Sequence, residues 1–201
     1  MTRLVVLRDE VRACQECDLY KYATQAVFGE GPPDAAIVFI GEQPGNDEDL
    51  SGRPFVGPAG RLFDRALEEA AIDRSSVYVT NAVKHFKFEE RGKRRLHKKP
   101  AASEVRACHH WLAAEVGAIR PQVMVCLGAT AAGAVFGNEY RVTRDRGVFV
   151  KHPLKYPWVP KATSTIHPSA ILRAPNEGAR RVEYGRFVED LKRVRAAVPE
   201  A

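Results

Sequence analysis

Residues 35–45 read Ala-Ala-Ile-Val-Phe-Ile-Gly-Glu-Gln-Pro-Gly, an apolar run that passes directly into a polar turn bounded by glycines. Apolar runs of this length next to glycine and proline are typical of strands buried on both faces of a parallel sheet. The stretch therefore predicts a strand over Ala35–Ile40 and a strand-to-helix turn at Gly41–Gly45. The two glycines allow backbone amides to approach a ligand closely, although a tight turn without a ligand explains the same residues.

Strand and helix patterns alternate on both sides of this stretch. A chain of 201 residues with 45% hydrophobic residues suits one well-packed domain. The alternation predicts a single α/β domain over residues 1–201, a three-layer α/β/α sandwich with a central, mostly parallel sheet. The other predicted strands are Val77–Thr80, Val123–Leu127, Val148–Val150 and Ala162–Ile166, and the predicted helices are Arg3–Ala13, Gly60–Ala71, Ala102–Ile119, a short one through Phe136, and Gly178–Ala197.

Basic charge is concentrated in the segment 84–99. This segment holds eight Lys or Arg residues against Glu89 and Glu90, so its net charge of +6 equals that of the whole chain. A focused basic patch indicates an anionic partner, and nucleic acid is the natural candidate. A disordered, solvated basic loop is the alternative.

The amino-terminal segment and the longest charge-free run exclude two targeting signals. Charged residues interrupt the first 19 residues too often for a signal peptide, and the charge-free run Val123–Asn138 is shorter than the ~20 apolar residues of a membrane span. We therefore expect a soluble, cytoplasmic protein that does not contact membranes.

Four cysteines in a reducing compartment are not expected to form structural disulfides. Cys14 and Cys17 have a spacing that can hold one metal centre, whereas 17 residues separate Cys108 from Cys126, which does not fit a zinc ribbon. Spacing alone leaves an iron-sulfur cluster, a zinc ion and unliganded thiols open.

Polar residues follow three of the predicted strands, where ligands gather in parallel α/β folds. Glu42 and Gln43 follow the first strand, Asn81 and Lys84 the second, and His167-Pro168-Ser169 the last. We expect these residues to lie at one rim of the sheet. Taken singly, a buried Asn or His more often satisfies backbone groups than contacts a ligand.

Five motifs in combination are far more specific than any one of them. They are Gly41-Glu42-Gln43-Pro44-Gly45, Arg53-Pro54-Phe55-Val56-Gly57, Asn81, Lys93-Arg94-Arg95-Leu96-His97 and His167-Pro168-Ser169. With the four cysteines, this set resembles the iron-sulfur uracil-DNA glycosylases, and within them the UdgX type, which is close to family 4 but carries an inserted basic loop ending in histidine. Gln43 and the loop with His97 are the most discriminating pieces.

The resemblance implies that the chain removes uracil from DNA, preferably single-stranded, as a monomer. Gly41 and Gln43 belong to the implied uracil pocket, in which Phe55 stacks on the extruded base. The Asn81 amide pairs with uracil N3–H and O4, a pattern that cytosine cannot match. His167 donates to O2, where negative charge builds as the glycosidic bond breaks.

The resemblance also assigns the capture of the sugar. His97 takes the place of water as nucleophile and bonds to the deoxyribose C1′, which leaves protein and DNA joined after a single turnover. Glu42 orients or activates His97, or stabilises the positive sugar. The DNA backbone contacts would be Lys84, Lys87, Arg94, Arg95 and Arg173. A structural [4Fe-4S] cluster held by Cys14, Cys17, Cys108 and Cys126 is implied as well.

Two other functions stay open at this point. A hydrolytic, family 4-like glycosylase would release uracil and turn over, with His97 contacting only phosphate. An iron-sulfur protein that binds DNA without chemistry would treat strands with and without uracil alike.

Overall fold

The computed structural model describes residues 3–137, 139–153 and 155–198. Its strands are β1 (Ile37–Gly41), β2 (Tyr78–Asn81), β3 (Phe88–Arg91), β4 (Arg94–His97), β5 (Val123–Leu127), β6 (Val150–Lys151) and β7 (Lys161–Thr165). The central sheet has five of these strands in the order β2-β1-β5-β7-β6. The first four are parallel, while the short edge strand β6 pairs antiparallel with β7.

Helices cover both faces of this sheet because successive strand residues alternate between the faces. The helices are α1 (Arg3–Arg12), α2 (Asn46–Ser51), α3 (Pro58–Glu69), α4 (Ala102–Ile119), α5 (Ala129–Phe136), α6 (Val142–Asp145), α7 (Pro168–Leu172) and α8 (Glu177–Ala196). In β1, Val38 and Ile40 pack in one core with α1, α4 and α5, while Ile37 and Phe39 pack in the other with α3 and α8. The predicted three-layer fold class is thus confirmed.

The structure shifts most predicted boundaries by one or two residues, and α4 and β5 match their predictions. Three short helices, α2, α6 and α7, were not predicted, because segments of four to six residues show too little periodicity to be recognised. The ends of the predicted 1–201 domain and Asn138 of the charge-free run lie outside the described residues.

The basic segment is folded, which excludes the disordered-loop alternative. Strands β3 and β4 form an antiparallel hairpin, with Phe88 opposite His97 and Arg91 opposite Arg94. Gly92 takes the left-handed conformation, at φ 62°, that the tight turn between the strands requires. His97 therefore lies at the base of the hairpin, next to the sheet.

None of the helices in the described part of the chain combines the length and apolar character needed to cross a membrane.

Candidate active site

The glycine turn after β1 brings three of the predicted pocket residues together. Gly41 is paired with Asn81 across the sheet. A Cβ on Gly41 would overlap the Asn81 Oδ1 atom and would lie 2.8 Å from the Phe55 Cζ atom. Only glycine therefore allows the Asn81 amide and the Phe55 ring to meet over this backbone.

Phe55 belongs both to the pocket and to the core. Its ring centroid lies 5.3 Å from that of Phe63 and 6.2 Å from that of His167. Its backbone has φ 58°, a conformation that is rare for a bulky residue and that is often found at functional sites. The core supports one side of the ring, and another part of it lines the cleft described below.

His167 lies at the end of β7, just before α7, and its ring is held in one protonation state. The Ser169 backbone N–H donates to His167 Nδ1 at 3.1 Å, and the Ser169 Oγ atom is 2.8 Å from the same nitrogen. Burial lowers the pKa of His167 to about 4, assisted by His97 and Arg173. At neutral pH the ring is uncharged, and because Nδ1 accepts a hydrogen bond, its proton is on Nε2. His167 is thus a neutral donor.

Gln43 fastens the hairpin to the glycine turn. Its Nε2 donates to the Lys87 and Lys98 carbonyls at 3.1 Å each, and the Lys87 N–H donates to its Oε1 at 3.1 Å. The amide is therefore occupied by hairpin backbone. These hydrogen bonds position the strand that ends in His97. Gln43 also lines the cleft described below, and its contact with uracil stays a prediction.

His97 and Glu42, predicted to work together, are adjacent. The His97 Nε2 atom lies 3.5 Å from Glu42 Oε1, and the other Glu42 oxygen accepts a hydrogen bond from the Thr130 hydroxyl. Burial lowers the pKa of His97, with Glu42 acting in the opposite direction and Arg173 adding to the lowering. The ring is therefore predominantly neutral at physiological pH, as a nitrogen nucleophile requires.

These side chains surround one cleft with a volume of about 1000 Å³. Its inner wall is formed by Phe55, Asn81 and His167, while Glu42 and His97 line it nearer the hairpin. A cleft of this volume, with apolar walls and a few converging polar groups, is the usual form of a binding site. The cleft is also lined by Glu48, Leu96, Lys99, Leu172 and Arg173.

Sequence reasoning did not single out Glu48, although it supports two turns of the site. Its carboxylate accepts from the Gly45 N–H at 3.0 Å and from the Gly57 N–H at 2.8 Å. Glu48 also tends to raise the pKa of His97. Its acidic position after the glycine turn was a usable signal, but a helix N-terminus without a ligand favours the same residue type.

Three of the five predicted phosphate contacts are already paired within the protein. Their partners are carboxylates: Glu115 for Lys84, Glu104 for Lys87 at 2.9 Å, and Asp49 for Arg95 at 2.7 Å. Lys84 is completely buried, so the expectation that it contacts a phosphate is not met. Counting charges along a sequence overestimates the free charge because it does not show these pairings.

The remaining two predicted contacts are exposed. Arg173 lies at the edge of the cleft, and Arg94 extends from the hairpin. Lys99, which was not among the predicted contacts, is exposed at the same edge as Arg173. These three cations are the candidates for phosphate contacts.

Three of the four cysteines are grouped, and Cys126 is not with them. Burial raises the pKa of the Cys108 thiol to about 11, and both Cys17 and Cys14 add to the rise. Cys126 lies in β5, and burial alone raises the pKa of its thiol. Cys126 contributes to the raised pKa of Tyr140 and of Tyr156, and not to that of the other cysteines. The predicted four-cysteine ligand set is therefore not brought together, because the fold places Cys126 in the main core.

The grouped thiols lie near donors and one unpaired nitrogen. Trp111 Nε1–H donates to Cys14 Sγ at 3.2 Å, and the Lys84 backbone N–H donates to Cys108 Sγ at 3.3 Å. The next residue, His85, is buried, and its Nδ1 has no hydrogen-bond partner among the described residues. Among the described residues, no three or more His, Cys, Asp or Glu side chains are arranged so that they could hold a single metal ion.

The fold and this cleft together define an α/β protein with a largely apolar cleft, in which a few polar side chains converge, at the carboxyl ends of its parallel strands. A model of the uracil DNA glycosylase superfamily matches residues 28–192, and the chain belongs to that superfamily.

Individual relatives cover from 68% to 96% of the chain. A type-4 uracil-DNA glycosylase of Thermotoga maritima is 37% identical over 194 residues, 96% of this chain and 93% of the relative. A type-4 enzyme of Archaeoglobus fulgidus is 38% identical over 170 residues, covering 83% of this chain and 81% of the relative. A type-5 uracil-DNA glycosylase of Thermus thermophilus is 30% identical over 152 residues, 68% of this chain and 66% of the relative.

Proposed function

We propose that this protein excises uracil from DNA and is then captured on it, with His97 bonded to C1′ of the deoxyribose. Its superfamily and its type-4 relatives support the excision. The observation that carries the capture is the position of His97, a neutral imidazole at the cleft, 3.5 Å from the Glu42 carboxylate.

Recognition of uracil uses the inner wall of the cleft. The base leaves the stack, which costs a few kcal/mol, and stacks on the exposed part of the Phe55 ring. Asn81 pairs with N3–H and O4. His167, with its proton on Nε2, donates to O2 without carrying a charge itself. A neutral donor at this place stabilises the uracil anion as the bond breaks.

The chemical step exchanges one C–N bond for another. The bond between C1′ and uracil N1 breaks, and its electron pair leaves with the base as the uracil anion, which then takes a proton from solvent. The lone pair of His97 Nε2 forms the new bond to C1′. His97 keeps its proton on Nδ1, so the product is an alkylated imidazolium whose positive charge lies beside Glu42.

An iron-sulfur cluster is part of the proposal. Cys14, Cys17 and Cys108 supply three ligands, and His85 replaces Cys126 as the candidate for the fourth, because its buried Nδ1 has no partner in the described chain. The bound cluster would crosslink the amino-terminal segment, the start of the hairpin segment and α4. The Trp111 and Lys84 N–H groups would donate to two of its thiolates.

A denaturing gel tests the function. After mixing with uracil-containing single-stranded DNA, the wild-type protein should give a species of the combined mass, and DNA without uracil should give none. His97→Ser should make room for water and release abasic DNA instead. The absence of the combined species with wild-type protein would refute capture by His97.

The hydrolytic alternative is favoured by the names of the type-4 relatives. It predicts free uracil in excess of enzyme and no combined species. If the protein binds DNA with and without uracil equally well and releases no uracil, the result would favour the DNA-binding function. Preference for single strands and a monomeric state stay predictions.

A further inference from the structure

The Glu42 carboxylate is held by one hydrogen bond and faces His97 with its other oxygen. The Thr130 hydroxyl donates to Glu42 Oε2, and Glu42 Oε1 is left facing His97 Nε2 at 3.5 Å. A donor on one oxygen stops the carboxylate from rotating about its terminal bond, so that the second oxygen keeps a defined direction.

The turn between β5 and α5 places Thr130 at this carboxylate. Gly128 has φ 89°, and a Cβ there would lie 3.0 Å from the His167 Cβ atom. The turn therefore packs directly against the residue that precedes α7, and Thr130 follows two residues later in the first turn of α5. One rigid turn thus positions Thr130 with respect to both His167 and Glu42.

We propose that Thr130 is a positioning residue for the reaction, which acts by holding Glu42 against His97. This inference rests on the proposed capture by His97. When His97 Nε2 bonds to C1′, positive charge develops on the imidazole, and the fixed Glu42 oxygen lies where it stabilises that charge. Without the Thr130 hydroxyl, the carboxylate samples other orientations and His97 loses its partner, which slows capture more than it alters the pocket for uracil.

The substitution that tests this is Thr130→Val, which exchanges a hydroxyl for a methyl group of similar size. Thr130→Ser restores the donor. Thr163→Val is the matched control, because Thr163 is also a threonine with one hydroxyl hydrogen bond, 2.9 Å to the Val148 carbonyl, but it lies within β7, away from the cleft. Each variant is mixed in excess with uracil-containing single-stranded DNA, and both free uracil and the covalent species are followed over time.

For Thr130→Val we expect covalent capture about 10-fold slower or more, the usual scale for loss of a hydrogen bond to a charged group. We also expect a larger share of the cleaved DNA to appear as free abasic product. Thr130→Ser and Thr163→Val should both stay within about twofold of the wild type. The partition between capture and free product is informative because a general loss of folded protein would lower both products together.

The role of Thr130 alone would be overturned by a Thr130→Val variant with the rate and partition of the wild type, or by an equal loss in the Thr163→Val control. Failure of Thr130→Ser to restore capture would also overturn it, since the serine supplies the same donor. If the wild-type protein itself forms no covalent species, the proposed function fails, and the inference about Thr130 fails with it.

Discussion

The buried ion pair between Lys84 and Glu115 leads to a prediction with a large expected effect. Both side chains are completely buried. Lys84 Nζ also donates to Thr80 Oγ1 and to the Asn81 carbonyl, each at 2.8 Å. Glu115 Oε2 accepts from the Tyr78 hydroxyl at 2.7 Å. Each charge is thus compensated, and the lysine supports the backbone of the residue assigned to read uracil.

Lys84→Met removes one charge and leaves the other buried without a counter-charge. Breaking a buried pair in this way costs about 3–5 kcal/mol. For a chain of this size, where 1 kcal/mol changes Tm by about 2–4 °C, the loss corresponds to a Tm lower by roughly 6–20 °C.

A double variant separates the stranded charge from the loss of packing. In Lys84→Met with Glu115→Gln, the amide oxygen can keep the Tyr78 hydroxyl, and the amide nitrogen can donate to Thr80 Oγ1, which lies 3.2 Å from Glu115 Oε1. We therefore expect the double variant to be more stable than Lys84→Met alone.

The assay is urea and thermal unfolding at pH 7, with wild-type and variant proteins prepared in the same way. A Lys84→Met variant within about 1 kcal/mol of the wild type would refute the reasoning. A double variant less stable than the single one would show that the cost does not come from the unpaired carboxylate.

Three further predictions concern the pocket, the hairpin and the ligand set. The pKa of His167 is lowered from 6.5 to about 4, so the unfolded chain binds a proton that the folded protein excludes between these pH values. Lowering the pH from 6.5 to 4 should therefore cost up to about 3 kcal/mol of stability, and His167→Asn, compared by urea unfolding at both pH values, should lack this part. Gln43→Ala removes three hydrogen bonds to the hairpin backbone. Hydrogen exchange of the backbone amides in residues 87–98 should therefore be at least about 5-fold faster, and the yield of the covalent protein–DNA species should fall. Unchanged exchange would contradict the anchoring role. The iron bound per chain should fall in Cys108→Ala and in His85→Ala and stay unchanged in Cys126→Ala. Loss of iron in Cys126→Ala would instead support Cys126 as the fourth ligand.

The main elements of the fold could be predicted because their signals are local. The apolar run before Gly41 indicates a buried strand, and the long helix α4 shows its boundaries through its composition. The clustering of Glu42, Asn81 and His167 also followed from sequence, since the carboxyl ends of parallel strands meet at one edge.

The contacts that refine the site could not be predicted, because they join distant parts of the chain. Gln43 contacts Lys87 and Lys98 across more than 40 residues, and Thr130 reaches Glu42 across 88. A glutamine in a turn and a threonine at the start of a helix are ordinary residues in sequence. Their importance appears only when the backbone brings them to the cleft.

By itself, the sequence determined the order of the main strands and helices, the rim at which the polar residues gather, and the histidine that ends the basic segment. Only the tertiary structure decided which charges are free, since Lys84 is buried against Glu115 while Arg173 stays exposed. It also decided which thiols meet, separating Cys126 from Cys108 although both are buried cysteines. The physical reason is that charge pairing and ligand grouping depend on distances in space, and spacing along the chain limits those distances only within one element.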